Sequence, residues 1–249
     1  MNLSENDARS IIRLLGETAM INGSFSDRKF FLMKGLCSLI DADYWAWALG
    51  CQMEPMKPQV FVSFIHGGFS DSNFANFIAA VEHPGLIPVV TLFTETMKKN
   101  NTHTTMRRDE MDHLGLSYQG SVGESWEKAN IGSSMMSAHP LEDGSASTIG
   151  LYRRIGAPKF SDRDKHIAHL ILSEVPWLHL AGWPDDKGSS VPKLYPRQRV
   201  VMNLLLDVMS RKAIADHMNI KENTVAGYTK DIYRHFKVHS QVELLRKFL

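Results

Sequence analysis

Hydrophobic positions recur at two periods along this chain, and the changes of period divide it. Between Ser4 and Gly23, Ile11, Leu14, Leu15 and Ala19 recur at helical spacing, with Ser4 placed as a cap. A second helical run starts at Ser26 or Asp27 and carries Phe30, Phe31, Met33, Leu36 and Leu39. The segments "DYWAWALG" (43–50) and "QVFVSFIHGG" (59–68) are short, aromatic and partly alternating, which predicts strands. "SDSNFANFIAAVEH" (70–83) and "GLIPVVTLFTETMKKN" (85–100) predict helices. Residues 100–131 are polar, with one or two helical turns expected in "HTTMRRDEMDHLG". "GSSMMSAHPLED" and "ASTIGLYRRIG" then predict two strands joined by the turn "EDGS". "FSDRDKHIAHLILSEVPWLHLAG" predicts a long capped helix packed on the sheet, with His166, Ile167, Leu170, Ile171 and Val175 on one face and a break at Pro176.

Residues 182–193, "GWPDDKGSSVPK", are rich in Pro, Gly, Ser and Asp, as a linker is. Beyond them the pattern is purely helical. The expected fold class is α+β: an antiparallel sheet with flanking helices over residues 1–183, a linker over 184–193, and an all-α four-helix bundle over 194–249. In that bundle Pro196 suits the first position of a helix, Ser210 caps a second, and "SQVE" (240–243) is a capping box opening a fourth.

Composition adds little until charge is divided. At 249 residues, 43% apolar and 22% charged, the chain fits one large or two smaller globular domains. No apolar run is long enough to span a membrane, and "MNLSENDARS" is too polar for a secretory signal, so a cytoplasmic location is expected. Cys37 and Cys51 read as two free thiols. The net charge of +1 conceals an asymmetry: residues 193–249 hold 11 basic and 5 acidic side chains, leaving 17 and 22 for the rest. A neutral chain with one basic end suggests a module that meets a polyanion, or else a solvated basic surface.

"NTVAGYTKDIYRHF" (223–236) bears on that choice. Val225, Tyr228, Ile232 and Phe236 make one apolar stripe, while Asn223, Gly227, Lys230 and Arg234 make the opposite line. Ala226 and Gly227 leave space for a groove wall, and Lys230 and Arg234 are long donors for base edges or phosphates. Gly227 costs about 1 kcal/mol of helix propensity relative to Ala, so its place in mid-helix asks for a reason. The alternative is a packed bundle with a solvated face.

Residues 194–249 resemble the LuxR-type (NarL/FixJ-type) DNA-binding domain. The resemblance rests on Leu194, Pro196, Arg197, Ser210, Lys212, Ile214, Ala215, Ile220, Thr224, Val225, Ile232, Tyr233, Val238 and Ser240. It implies a helix-turn-helix whose third helix reads the major groove and whose fourth often pairs subunits. The positions matching Ala226, Gly227 and Lys230 then face bases, those matching Thr224 and Arg234 lie by phosphates, and Lys212 and Tyr228 complete the DNA-binding set. Tyr195, Gln198, Met209, Ala226 and Tyr228 depart from the residues usual in that family.

The first domain is less legible. A phospho-receiver would need alternating parallel elements, which the pattern lacks. An acyl-homoserine-lactone domain is α/β/α with aromatic and Asp residues; "DADYWAWALG" and Trp126 supply aromatics, but the spacing does not match. "DADYWAWALG" and residues 145–175 are more similar to the first strand and the ending of a GAF fold. That resemblance implies a six-stranded or similar antiparallel sheet that holds a small molecule or only joins two copies. Tyr44, Trp45, Trp47, Phe61 and Tyr152, with Met135 and Met136, are the candidate pocket residues, core packing being the alternative. His166 and His169 are i, i+3 on a helix, but no carboxylate or Cys accompanies them; His103 and His113 stand alone. No metal set, cofactor or enzyme motif is expected.

The chain therefore reads as a DNA-binding transcription regulator acting as a homodimer on double-stranded DNA, with a first domain that senses a small-molecule effector or mediates dimerisation. A protein-interaction module and a DNA-tethered enzyme are the alternatives.

Overall fold

A computed structural model describes residues 3–52, 59–113, 115, 119–141, 145–180 and 194–248. The first helix, α1 (Glu5–Met20), begins with a capping box in which Ser4 accepts from the Asp7 N–H and Asp7 accepts from Ser4. The second, α2 (Phe25–Leu39), begins slightly earlier than expected, because Ser24 is its cap and Asp27 is the residue that reaches back. Strands β1 (Tyr44–Gln52) and β2 (Gln59–Gly67) follow. Gly68, at φ 85°, makes the turn out of β2, where an added Cβ would strike the backbone of Asp43. Ser70 then caps α3 (Asp71–Val81), and a 3-10 turn at Pro84–Leu86 leads into α4 (Ile87–Asn100).

The polar segment 100–131 holds more structure than its composition suggests. It contains strand β3 (Thr104–Arg107), the single helical turn α5 (Arg108–Met111) and helix α6 (Gly120–Lys128). Polarity hides β3 because its buried residues are threonines: the Thr105 hydroxyl lies 2.7 Å from that of Ser137. Strands β4 (Ser133–Pro140) and β5 (Ala146–Arg153) complete the sheet, and Ser161 and Asp164 form the capping box of α7 (Asp162–Ser173). The short α8 (Pro176–His179) follows the break at Pro176.

The sheet is antiparallel with order β2-β1-β5-β4-β3. Among the described residues it has five strands, one fewer than a six-stranded GAF sheet. Helices cover both faces. Trp45, Trp47, Leu49, Ile149 and Leu151 meet α1, α2, α7 and α8 on one. Tyr44, Ala46 and Tyr152 meet α3 and α6 on the other. Buried Arg153 fastens the first side: its guanidinium donates to the carbonyls of Ile40, Asp41, Pro158 and Lys159 and to the Asp164 carboxylate. The charge is thus paired and each nitrogen has an acceptor, the condition for burying it without a large penalty.

The second unit comprises α9 (Pro196–Leu206), α10 (Arg211–Met218), α11 (Glu222–Phe236) and α12 (Gln241–Phe248). Val201, Leu205, Ile214, Met218, Val225, Ile232 and Leu244 form its core. Ser210 accepts from the Ala213 N–H, and Ser240 from the Glu243 N–H. The Glu243 carboxylate reaches back one residue further than in a regular capping box, to the His239 N–H.

Candidate functional site

The outer surface of α11 is built by its core-facing side. Val225 and Ile232 are buried as the stripe predicts, but the third buried position is Thr229, whose hydroxyl donates to the Val225 carbonyl at 2.8 Å. Tyr228 and Phe236 sit at the margin, partly buried against the core, so Tyr228 does not stand fully in the outer line as the DNA-binding set would have it. Thr224, Gly227, Lys230 and Arg234 are exposed, as is Lys212 on α10, and Ala226 is half-buried. No atom lies within 4 Å of where a Gly227 side chain would begin, so nothing inside this chain requires a glycine there. Arg234 lies 3.3 Å from Asp231, one turn back, in an exposed pair that is easily given up for another anion.

In the first domain a cavity of about 80 Å³ lies between the sheet and the helices α3, α4 and α6. Ala46, Ala48, Thr148 and Gly150 form its sheet wall, and Phe77, Leu86, Val90 and Trp126 its helical wall. An added Cβ at Gly150 would meet the end of the Tyr152 side chain, which folds back over it, so that ring would have to move. The cavity contains one cation, Arg108, 4% exposed, with its guanidinium 4.9 Å from the centre of the Trp126 ring. Burial pushes the Tyr152 phenol up, against a smaller opposite pull from Arg108, so it remains a neutral donor.

The expected pocket residues divide between the two faces. Tyr152 and Met136 line the cavity. Tyr44 lies on the same face but stacks on Phe69 at 4.7 Å and accepts from Asn130. Trp45, Trp47 and Met135 belong to the opposite core and line no part of the cavity. The correction follows from the period of a strand: alternate residues of β1 point apart, so Tyr44 and Trp45 cannot share a wall. The side chain of Phe61 lies outside the described residues. Sequence reasoning missed Arg108 and noted Trp126 only as an aromatic whose spacing fits no motif; both stand on short elements within a stretch that reads as polar.

That reading also set His103 aside as isolated. The structure gathers it with His139 and His179: one ring nitrogen of each lies within 4.8 Å of the others. His169 is adjacent, its ring centre 5.5 Å from that of His103, whereas His166 is exposed. Burial, with the neighbouring His169 and His139, drives His103 down to about 3. Burial likewise lowers His139, His169 and, most strongly, His179. The rings are therefore neutral near pH 7.

The C-terminal geometry has a match among known families. Residues 192–248 fit the family model described as bacterial regulatory proteins, luxR family. This segment is a luxR-family helix-turn-helix domain. No curated protein matches the chain significantly. Among solved structures, Escherichia coli SdiA aligns over 96% of this chain and 94% of its own at 12% identity, with a TM-score of 0.51. At that identity the likeness concerns the fold. SdiA in complex with octanoyl-rac-glycerol aligns over 98% and 95% at 10% identity and TM-score 0.48. The VqsR LBD domain of Pseudomonas aeruginosa aligns over 71% of this chain and 95% of its own at 13% identity and TM-score 0.42.

Within the luxR-family domain, the departures at Tyr195 and Gln198 compensate locally. Tyr195 offers no short side-chain acceptor to cap α9, but the Gln198 side chain accepts from the Tyr195 N–H at 2.8 Å and donates to Asp231 on α11 at 3.2 Å. One amide thus secures the entry to α9 and couples it to the helix bearing Lys230.

Proposed function

We propose that this chain is a cytoplasmic transcription regulator. Its luxR-family domain reads double-stranded DNA through α11, and its first domain, a sensor of GAF-like role, holds a small apolar effector in the cavity under α3, α4 and α6. The observation that carries the DNA reading is the exposed line Thr224, Gly227, Lys230 and Arg234, with open space above the glycine. A helix with this profile can lie close to a groove floor and still reach bases and phosphates. The sensing reading is supported by a small apolar cavity with one buried cation, Arg108, which suits an apolar body with one carbonyl or anionic oxygen. Binding rather than catalysis is the role such a lining supports.

Assembly as a homodimer belongs to the same reading. A single small module buries little surface on DNA, and two modules on a two-fold axis read a near-palindrome. Val242 on α12 is 57% exposed, and Ile12 and Met20 on α1 are 70% and 80% exposed, so both units present apolar groups that a second copy can cover.

Selection of bound sequences from a random DNA library by the full-length protein, followed by footprinting, tests the proposal. Enrichment of a two-fold-related motif protected over about one helical turn between half-site centres supports it. Recovery of unenriched DNA, bound with the same affinity as any duplex at moderate salt, rejects it.

A further inference from the structure

We propose that His103, His139 and His179 form a binding site for a divalent transition-metal ion of the Zn²⁺ class, at the end of the sheet beneath α7 and α8. This does not depend on the DNA-binding reading. Three separate parts of the fold supply the ligands: His103 just before β3, His139 near the end of β4, and His179 on α8. They point the same way because His139 and Ser147 are register partners in the β4–β5 pair, and Ser147 lies 2.9 Å from the Nδ1 of His179.

The hydrogen bonds leave lone pairs on this cluster. The Nε2–H of His179 donates to the Leu172 carbonyl at 2.9 Å, so its Nδ1 carries the lone pair, held at present by the Ser147 hydroxyl. That hydroxyl also accepts from the Trp47 indole at 2.7 Å, and it is free to turn about its C–O bond. The Nε2 of His103 is bonded to Ser137 at 2.7 Å, and its Nδ1 is buried with no hydrogen-bond partner among the described residues. The Nδ1 of His139 is in the same position. Two buried ring nitrogens without a hydrogen-bond partner cost stability as they stand. A cation accepting three lone pairs removes that cost.

The bonds that remain are those a metal site uses. The Leu172 carbonyl, which can only accept, fixes the orientation and tautomer of His179, and the Ser137 hydroxyl, bonded to the Nε2 of His103, orients that ring and can accept from it when its Nδ1 is given to a metal. Imidazole ligands select Zn²⁺, Ni²⁺ or Cu²⁺ over Mg²⁺ or Ca²⁺. Tetrahedral zinc with bonds of about 2.0–2.1 Å brings its nitrogens to about 3.4 Å from one another. The rings must therefore close from the 4.8 Å within which they now lie. His139 is half-buried and can make that movement by turning off the His179 ring, on which it stacks at 4.8 Å. Water fills the fourth position.

The test uses untagged, full-length protein stripped with a chelator and titrated with Co²⁺, then Zn²⁺. The expected result is one Co²⁺ per chain with the visible absorption of a four-coordinate nitrogen site, displaced by one Zn²⁺. His139→Gln is expected to weaken Zn²⁺ binding by more than about 100-fold, beyond the loss typical of an outer-shell change, while His166→Gln leaves it unaltered. His103→Gln should match His139→Gln where it folds; where it does not, the half-buried His139 position decides. Absence of stoichiometric binding by the wild type overturns the proposal and marks the three rings as core packing. Binding that survives His139→Gln overturns the assignment equally.

Discussion

The guanidinium of Arg163 on α7 lies 2.6 Å from the carboxylate of Asp7, which also closes the capping box of α1. One carboxylate thus serves two helices whose partners are 156 residues apart. The hydrogen bonds from Arg163 and Ser4 lower Asp7 from 3.8 to about 2. A carboxylate lowered on folding adds stability that is complete above its unfolded value and is lost as pH falls through its folded value. This contribution is therefore whole above about pH 4 and vanishes toward pH 2. Asp7→Asn is expected to lower stability at neutral pH and flatten its fall across that window. Urea midpoints measured for both proteins from pH 5 to about 2 check this; parallel curves would count against it.

On α11, loss of Lys230 and loss of Arg234 should differ in kind. Lys230→Ala is expected to relax sequence preference, since one base contact is worth about 1–3 kcal/mol of discrimination. Arg234→Ala is expected to weaken binding to all sequences and to reduce the salt slope by about one. Gel shifts over a salt series, on the selected site and on a scrambled one, separate the two. Wild-type behaviour from both variants would remove this face from the interface.

Gly227→Leu should abolish specific binding and leave the bundle folded. The site is exposed and has open space for a side chain, and Leu is the better helix former by several tenths of a kcal/mol. The variant is expected to melt at or above the wild-type temperature while holding α11 off the DNA. Retained affinity would show that the glycine does not serve close approach.

Filling the cavity from its sheet wall should silence the effector. Ala48→Leu places a larger side chain among Trp126, Leu86 and Val90, at a cost of about 1–3 kcal/mol if the walls must move. Apolar ligands that raise the wild-type melting temperature should have no effect on the variant. Trp126→Ala enlarges the same space and is expected to cost about 3–5 kcal/mol. Ligand-induced shifts that persist in Ala48→Leu would place the effector elsewhere.

Val242→Glu puts a charge on the exposed apolar position of α12. Sedimentation with the selected DNA is expected to show fewer two-copy complexes, and operator affinity should fall, with helical content unchanged. Tight binding by a single copy would end the dimer reading.

Much of this fold is legible in the sequence where periodicity and caps agree. Ser4, Ser161, Ser210 and Ser240 each announce a helix that the structure contains. Where burial is polar, the signal fails: Thr105 and Ser137 form a buried hydroxyl pair on neighbouring strands, and neither looks like core. Strand β3 is hidden for that reason, whereas α6 buries Val122 and Trp126 but is short and carries two glycines. The exposed line of α11 could be read because a single helix carries it. The histidine cluster could not, since His103, His139 and His179 meet only through strand pairing and the packing of α8.

The stretch 45–49 alternates bulky and small residues, with indoles at 45 and 47 on one face and methyl groups at 46 and 48 on the other. The two faces can vary independently. Substitutions at Ala46 and Ala48 resize the chamber while leaving the layer that holds Trp45 and Trp47 intact. On the proposed sensing role, a lineage carrying this strand can therefore change which molecules the chamber fits through two codons, without first finding a new way to fold.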